Sequence, residues 1–346
     1  MSAGYAVGVI GATGAVGREF LQVMEERQFP VRELRLWASP RSRGRQIEFN
    51  GKPHTVEALE DAVYEGLDFV LISASGDISR AEAPRVAKSG ALAIDDSSAF
   101  RYDDAVPLVV PEVNAEDIAW HQGIVAIPNC STTPIVQVLA PLHAVNPLRR
   151  IIADTYQSVS GAGGRAMEEL AEQTAAQARG ETPEVDPDVF PHVIASNLIP
   201  SIDSPRDDGY SKEEWKVWAE SRKIMHIPDL AVSATCVRVP VFRAHAAAVH
   251  AEFSEPFDAA EARAMLEDVP GVQVVDDLAG DQYPMPSDAA GNDTTWVGRI
   301  RQDMSHPNGL VFWVVSDNLR KGAATNSIQI AEAAIANHWL KQAQPA

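Results

Sequence analysis

The first half of the chain alternates short apolar runs with segments of helical periodicity, such as the one from Val16 to about Glu26. Uninterrupted apolar runs of this length are typical of parallel strands that are buried on both faces. The predicted strands are Tyr5–Ile10, Leu34–Ala38, Asp68–Ser73, Ala91–Asp95, Val106–Val110 and Gly123–Ile127, with a further helix near Ile78–Ser89. This alternation predicts an α/β domain, an N-terminal doubly wound sheet of the Rossmann type.

The pattern changes from about Ile151. Longer strands with alternating or β-branched residues follow, and they surround a helical and proline-rich stretch from Arg165 to His226. The predicted strands are Ile151–Ser160, Ala231–Val241 and His245–Phe253, and the chain closes with a predicted helix, Ala323–Gln342. Strands and helices that are segregated in this way predict a second domain of the α+β class.

The composition narrows the classes of protein to which the chain can belong. Of its 346 residues 45% are hydrophobic and 22% charged, which suits a folded protein of about two domains. The net charge of −19 argues against nucleic acid binding, which needs a basic face. No apolar run approaches the ~18 residues of a membrane span, and no basic leader precedes Gly11. With two cysteines and no zinc-like Cys/His cluster, we expect a cytoplasmic protein without a disulfide framework or a metal.

Three glycines form the first candidate site. Gly11, Gly14 and Gly17 follow a predicted strand and open a predicted helix, where backbone amides and the helix dipole favour a pyrophosphate. Their spacing, G-x-x-G-x-x-G, differs from the usual G-x-G-x-x-G of dinucleotide sites. A glycine-rich turn without a ligand is the alternative, but the position in the fold favours a nucleotide.

The end of the second predicted strand indicates which nucleotide. Sites for NAD carry a carboxylate there, which binds the ribose 2′-hydroxyl. This chain has none, and instead has Ser39, Arg41 and Ser42 within a segment of three arginines. Hydroxyl and guanidinium groups suit a 2′-phosphate. The alternative is a solvated basic loop; the segment favours NADP over NAD.

A candidate nucleophile lies after the last predicted strand of the first domain. Cys130 stands just before an apolar helical run that carries Pro134 in its first turn, a position that proline tolerates. The field at a helix N-terminus stabilises a thiolate, and amides there can hold an oxyanion. A buried, inert cysteine is the alternative, and it describes Cys236, inside an apolar strand, much better.

Arg238 and His245 form the next candidate pair. On one uninterrupted strand a separation of seven residues would place them on opposite faces. If both serve one site, the chain has to bend between them, near Arg243-Ala244. A histidine beside a thiolate can hold an ion pair with it and move its proton.

Five segments together resemble the bacterial aspartate-semialdehyde dehydrogenases, in matching order over nearly the whole chain. They are Gly11–Gly17, Pro128–Thr132, Tyr156–Gly163, Glu213–Lys216 and Asp317–Ala324. The resemblance implies an NADP-binding domain of residues 1–128 and 324–346, with a catalytic and dimerisation domain of residues 129–323. It also implies a homodimer.

The resemblance further implies a role for each site residue. His245 would be the acid–base partner of Cys130, Gln157 would orient the acyl group, and Arg238 would bind the substrate α-carboxylate. Glu213, which the three-residue spacing to Lys216 favours over Glu214, would hold the substrate ammonium. Phosphate would be bound by Arg101, Asn129 and Lys216. The expected cofactor contacts are Gly11, Thr13, Gly14, Ala15, Val16, Ser39, Arg41, Ser42, Ser160, Gly161, Gly163 and Asn318.

The expected reaction is the reversible NADPH-dependent reduction of L-4-aspartyl phosphate to L-aspartate 4-semialdehyde through a thioester on Cys130. It would serve lysine, threonine and methionine synthesis. Alternatives are another acyl-phosphate reductase, such as N-acetyl-glutamyl-phosphate reductase or glyceraldehyde-3-phosphate dehydrogenase, and a non-catalytic NADP-binding regulator. Glu213, Lys216 and Arg238 favour a free amino-acid head group, and the presence of both thiol and histidine argues against the regulator.

Overall fold

A computed structural model describes residues 4–340 of the chain. These residues form two compact units. The first unit combines residues 4–128 with 323–340, and the second unit is the continuous segment Asn129–Gly322. Each unit is built around its own β-sheet, so the sequence-based expectation of two domains with different sheets is confirmed.

The first unit contains a seven-stranded sheet of order β3-β4-β2-β1-β5-β6-β7, in which only β3 runs antiparallel to its neighbour. Its strands are short and apolar, and helices separate several of them. The elements are β1 Tyr5–Ile10, α1 Ala15–Glu26, β2 Val31–Ala38, β3 Gln46–Phe49, β4 Lys52–Ala58, β5 Phe69–Ile72, α2 Gly76–Lys88, β6 Leu92–Asp95, α3 Pro111–Asn114 and β7 Ile124–Ala126. The predicted doubly wound sheet is therefore confirmed.

One sequence-based expectation for this unit was wrong, and one element was missed. The segment 106–110 is not a strand, because it pairs with β7 only through a single bridge, Leu108 to Ala126. Prolines at 107 and 111 lack the N–H that a longer ladder needs. The hairpin of β3 and β4 was missed, although its turn is Asn50-Gly51, with both residues at positive φ.

The second unit contains a six-stranded mixed sheet of order β11-β12-β13-β10-β8-β9. Its elements are α4 Thr132–Val145, β8 Leu148–Gln157, α5 Gly164–Ala178, α6 Lys212–Ile224, β9 Ala231–Arg238, β10 His245–Phe253, α7 Ala259–Glu267, β11 Val272–Val274, α8 Pro286–Ala289, β12 Thr295–Gln302 and β13 Gly309–Ser316. The chain reverses between β9 and β10, since β9 is parallel and β10 antiparallel to β8. Helix α4 packs on β10, β12 and β13.

The last helix, α9, is Thr325–Ala336, and it belongs to the first unit. It follows a π-helical turn, Arg320–Ala324, and packs against α1 and α3. The predicted helix Ala323–Gln342 was too long, because the helix ends at Ala336 with Asn337 as its C-cap, and His338 takes a left-handed φ of 58°. Gln342 lies outside the described residues. Within residues 4–340 no helix is long and apolar enough to cross a membrane.

Candidate active site

The glycine turn lies at the carboxyl end of β1 and leads into α1. Gly11 has φ of +86°, and a Cβ there would lie 2.0 Å from the backbone oxygen of Ser73. A Cβ on Gly17 would lie 2.2 Å from the oxygen of Gly11. Gly14 is the N-cap of α1, and no side chain caps the helix. The two outer glycines are therefore required by packing, and the exposed helix end offers its amides to an anion.

The carboxyl end of β2 lies beside this turn, because β1 and β2 are parallel neighbours. The hydroxyl oxygens of Thr13 and Ser42 are 3.5 Å apart. Ser39 and Arg41 are exposed, and Arg43 forms an ion pair with Asp61. The two halves of the predicted nucleotide site thus meet within the first unit. Arg101 also belongs to this unit, where it is buried and donates from Nη2 to the backbone oxygen of Asp96.

Cys130 lies at the start of α4, as the apolar pattern predicted. Asn129 precedes it and acts as a local cap. Its Oδ1 accepts the N–H of Ser131 at 2.8 Å, and its backbone oxygen accepts those of Thr132 and Thr133 at 2.9 and 3.1 Å. Cys130 is partly exposed. The thiol is therefore held in the field of the helix N-terminus and open to a reactant, the setting that favours a reactive thiolate.

Two carboxylates of helix α6 bind Asn129 through hydrogen bonds. Glu213 Oε1 accepts from Asn129 Nδ2 at 2.9 Å, and Glu220 Oε2 accepts from the Asn129 backbone N–H at 2.6 Å. The seven-residue spacing puts both carboxylates on one helix face. Glu220 is fully buried, and it was not among the predicted site residues. Its spacing from Glu213 was the signal that could have found it.

Glu213 joins several predicted site residues. Its Oε1 also accepts from Gln157 Nε2 at 3.0 Å, and its Oε2 accepts from Lys216 Nζ at 2.7 Å. Burial works to raise the pKa of Glu213, but the charge of Lys216 and the hydrogen bonds lower it to about 2. Glu214 points elsewhere, since it closes the capping box of α6 with Ser211. The geometry therefore favours Glu213 over Glu214 as the residue at the site.

Lys216 is a mostly buried ammonium group between two carboxylates. It donates to Glu213 at 2.7 Å and to Asp203 at 2.9 Å. Burial works to lower the pKa of Lys216, but the two carboxylates outweigh burial and raise it. Lys216 is therefore held in position by an ion pair on each side.

Three predicted site residues lie at one end and on one face of the second sheet. Gln157 ends β8 and pairs with Arg238, which ends β9, while His245 opens β10 on the far side of β8. Arg238 and His245 can share a face although they are seven residues apart, because the chain reverses between them and they belong to different strands. The expected bend between them is present, and Ala244 adopts φ of 70° there.

His245 is buried, with one ring nitrogen hydrogen-bonded within the protein. Its Nδ1 accepts the backbone N–H of Ser158 at 3.0 Å, and Ser158 Oγ lies at the same distance. Burial, followed by the charge of Arg238, lowers the pKa of His245 to about 3. Its Nε2 has no hydrogen-bond partner among the described residues. Since Nδ1 accepts an N–H, the neutral ring carries its proton on Nε2.

Two glycines leave room around these groups. A Cβ on Gly161 would lie 2.9 Å from Arg238 Nη1 and 3.1 Å from His245 Nε2. A Cβ on Gly322 would lie 2.7 Å from the Cβ of Cys130. Gly322 was within a recognised segment but was given no role. Gly163, with φ of +93°, shapes the turn before α5.

The remaining predicted residues of the second unit join the same network. Arg238 is buried and donates to the backbone oxygen of Ser158 at 2.7 Å. Burial lowers the pKa of Arg238, and the nearby charges of Glu213 and Cys130 oppose that effect. Asn318 Oδ1 accepts from Ser160 Oγ at 3.0 Å.

The second cysteine, Cys236, is fully buried, and burial raises the pKa of its thiol, as expected for an inert cysteine.

Comparisons with known proteins show the family to which the chain belongs. Residues 6–121 match the family model of the semialdehyde dehydrogenase NAD binding domain, and residues 139–321 match the semialdehyde dehydrogenase dimerisation domain. These two matches show that the chain is a semialdehyde dehydrogenase, a class of enzyme that uses a nicotinamide cofactor.

Full-length relatives narrow that class. The chain is 50% identical to aspartate-semialdehyde dehydrogenase of Aquifex aeolicus, over 95% of this chain and 97% of the relative. It is 46% identical to that of Bacillus subtilis, over 96% and 98%. The structure of aspartate semialdehyde dehydrogenase II of Vibrio cholerae complexed with ASA has a TM-score of 0.95 at 45% identity, covering 97% and 100%. The chain therefore belongs to the aspartate-semialdehyde dehydrogenase family.

Proposed function

We propose that the chain reduces L-4-aspartyl phosphate to L-aspartate 4-semialdehyde with NADPH, reversibly, in the synthesis of lysine, threonine and methionine. The observation that carries this proposal is the setting of Cys130. Its partly exposed thiol lies at a helix N-terminus, and the same unit holds a neutral His245 and the charged pair Glu213 and Lys216. These are the groups that a thiol-based acyl transfer needs.

The choice of NADP rests on the segment after β2. No acidic residue lies between the end of β2 and the start of β3, a segment that contains Ser39, Arg41 and Ser42, and the hydroxyl oxygen of Ser42 lies 3.5 Å from that of Thr13 in the glycine turn. In this proposal the amides of residues 13–16 bind the pyrophosphate, and Ser160, Gly161 and Gly163 line the nicotinamide. Asn318 contributes its Nδ2, because its Oδ1 is engaged within the protein.

Substrate binding divides between the two ends of an amino-acid phosphate. Arg238 is assigned to the α-carboxylate and Glu213 to the ammonium group. Lys216, Asn129 and Arg101 are assigned to the phosphate. Guanidinium and ammonium donors fit a phosphate dianion. Asn129 has one Nδ2 hydrogen left for this role, since the other is donated to Glu213.

The chemistry begins at sulfur. The Cys130 thiolate attacks the acyl carbon, a C–S bond forms, the C–O bond to phosphate breaks, and an aspartyl thioester remains on the enzyme. A nicotinamide held by Ser160, Gly161 and Gly163 would supply the hydride that reduces this thioester. His245 stabilises the resulting oxyanion by donating a hydrogen bond from Nε2. When the C–S bond breaks, the electron pair returns to sulfur and the aldehyde leaves. The same Nε2–H can supply a proton to oxygen or sulfur, which is the acid–base role proposed for His245.

The test is phosphate-dependent NADP reduction with L-aspartate 4-semialdehyde, repeated with NAD and with N-acetylglutamate semialdehyde. We expect turnover that requires phosphate, prefers NADP and is far slower with the N-acetylated substrate, which lacks the ammonium group. A preference for N-acetylglutamate semialdehyde would establish another acyl-phosphate reductase. Binding of NADP without any turnover would indicate a non-catalytic regulator.

We also propose a homodimer in the cytoplasm, formed through the open face of the second sheet. Alternate residues of β8 point to that face, where Ile152 and Asp154 are partly exposed and Tyr156 is exposed. Tyr156 packs beside Trp313 there, with ring centroids 5.3 Å apart. Aromatic residues on an uncovered sheet face favour a protein partner. The cytoplasm suits a chain whose two cysteines form no disulfide.

A further inference from the structure

Asn318 lies just after β13, buried, with its amide oxygen directed at the backbone around His245. Its Oδ1 accepts the N–H of Ala244 at 3.0 Å, together with the hydroxyl of Ser160 at 3.0 Å and that of Ser158 at 3.2 Å. A backbone N–H can only donate, so the atom that faces Ala244 has to be the oxygen of the amide. One side-chain atom therefore ties together the two segments that flank the imidazole.

The first of these segments is held in an unfavourable conformation. Ala244 directly precedes His245, is fully buried and has φ of 70°, in the left-handed region that residues with a Cβ rarely adopt. Its N–H is satisfied by Asn318 Oδ1. Without that acceptor, a buried donor would be left without a partner in addition to the backbone strain. The turn that aims His245 therefore depends on Asn318.

The second segment fixes the proton on the imidazole. Ser158 donates its backbone N–H to Nδ1 of His245 at 3.0 Å, and its hydroxyl is bonded to Asn318. A ring nitrogen that accepts an N–H carries no proton, so the proton resides on Nε2. Nε2 is buried, has no partner among the described residues, and lies beside Gly161 and Arg238. It is thus free to donate to a reacting oxygen.

We propose that Asn318 is a positioning residue that acts through His245. By holding Ala244 and Ser158, its Oδ1 keeps the imidazole in the Nε2–H form with that N–H turned toward the substrate carbonyl oxygen. The inference rests on the proposed function, because it assigns the donor that stabilises the oxyanion on the Cys130 thioester. This positioning role belongs to Oδ1 of Asn318, whereas the proposed contact with the nicotinamide would be made by Nδ2.

The experiment compares Asn318→Ala with a matched control, Asn308→Ala. Asn308 belongs to the same unit and donates from Nδ2 to the backbone oxygen of Ser254, away from the site. We expect Asn318→Ala to lower kcat roughly 10- to 100-fold, less than the loss of the donor itself, with a small change in KM for the semialdehyde. Asn308→Ala lowers only the unfolding temperature. Equal kcat for Asn318→Ala and wild type would overturn the proposal.

Two further measurements separate positioning from simple loss of structure. Adding Ala244→Gly to Asn318→Ala removes the left-handed strain, so part of the lost kcat should return. The ¹⁵N shifts of the imidazole, assigned with His245→Gln, should show Nε2–H in the wild type and a mixture of tautomers in Asn318→Ala. A wild-type ring protonated on Nδ1 would refute the inference. The shifts report on it even if the wild type fails to turn over aspartate semialdehyde, which would refute only the proposed function.

Discussion

At the scale of single residues, the glycines near the thiol and the imidazole are the positions where one added methyl group should have most effect. A Cβ on Gly161 would press on Arg238 and His245 at 2.9 and 3.1 Å. We expect Gly161→Ala to lower kcat/KM about 100-fold, since a displacement of about 1 Å at a reacting group can cost that much. Steady-state kinetics with aspartate semialdehyde, phosphate and NADP measures it.

Gly164 provides the control for that substitution. It is the first residue of α5, and a Cβ there meets nothing within 4 Å. Gly164→Ala should leave kcat/KM unchanged and alter stability by at most about 1 kcal/mol, in the favourable direction. If both variants kept wild-type kinetics, the close approach of Gly161 to His245 would have no functional meaning.

The charge of Glu213 predicts how stability depends on pH. The pKa of Glu213 is about 2 in the folded protein, below its ordinary value of 4.5. The unfolded state therefore binds more protons between these values, so the contribution of Glu213 is complete above pH 4.5 and is lost as pH falls toward 2. In denaturant unfolding, the difference in free energy between wild type and Glu213→Gln should shrink over this range. A constant difference would argue against an ionised Glu213.

At the scale of elements, helix α6 and the loop before α4 act together, because Glu213 binds the side-chain amide of Asn129 and Glu220 binds its backbone N–H. Glu220→Leu should remove the acceptor of the Asn129 backbone N–H, lower the unfolding free energy by about 1–3 kcal/mol and reduce kcat. Glu220→Gln keeps an acceptor oxygen and should retain most of the activity. Urea unfolding and kcat measure both effects, and equal kcat for the two variants would contradict the role of this contact.

Some elements could be predicted from the sequence because their patterns are local. Apolar strands followed by glycine or cysteine segments gave β1, α1 and the start of α4. The grouping of Gln157, Arg238 and His245 required the order of strands in the sheet, which spacing along one strand could not supply. Glu220 accepts the backbone N–H of Asn129, and Ser158 donates its own backbone N–H to His245, so neither role could be inferred from the residue type at that position.

At the scale of the whole molecule, the open sheet face predicts the oligomeric state. Ile152→Glu places a charge at the centre of that face, beside His250 of β10. We expect it to shift the chain from dimer to monomer in sedimentation velocity at micromolar concentration. Val63→Glu, a change at an exposed apolar residue of the first unit, is the control and should leave the dimer intact. An unchanged dimer in both variants would place the interface elsewhere.

The fold class, the two units and the membership of the family could be predicted from the sequence, because hydrophobic pattern and segment order carry them. The hydrogen-bond network around Asn129, Glu213 and Asn318 could not, because it depends on which donor and acceptor atoms long-range packing brings within about 3 Å. The same holds for the neutral state of His245, which follows from its burial and the neighbouring Arg238.

The thioester on Cys130 is the claim on which the account depends most directly. Wild-type protein mixed with aspartate semialdehyde and NADP, without phosphate, should accumulate an aspartyl group, detected by rapid-quench mass spectrometry on the peptide that contains Cys130. Cys236→Ser should accumulate it equally, and Cys130→Ser should bind NADP without forming it. An acyl group on another residue, or wild-type turnover in Cys130→Ser, would contradict the account.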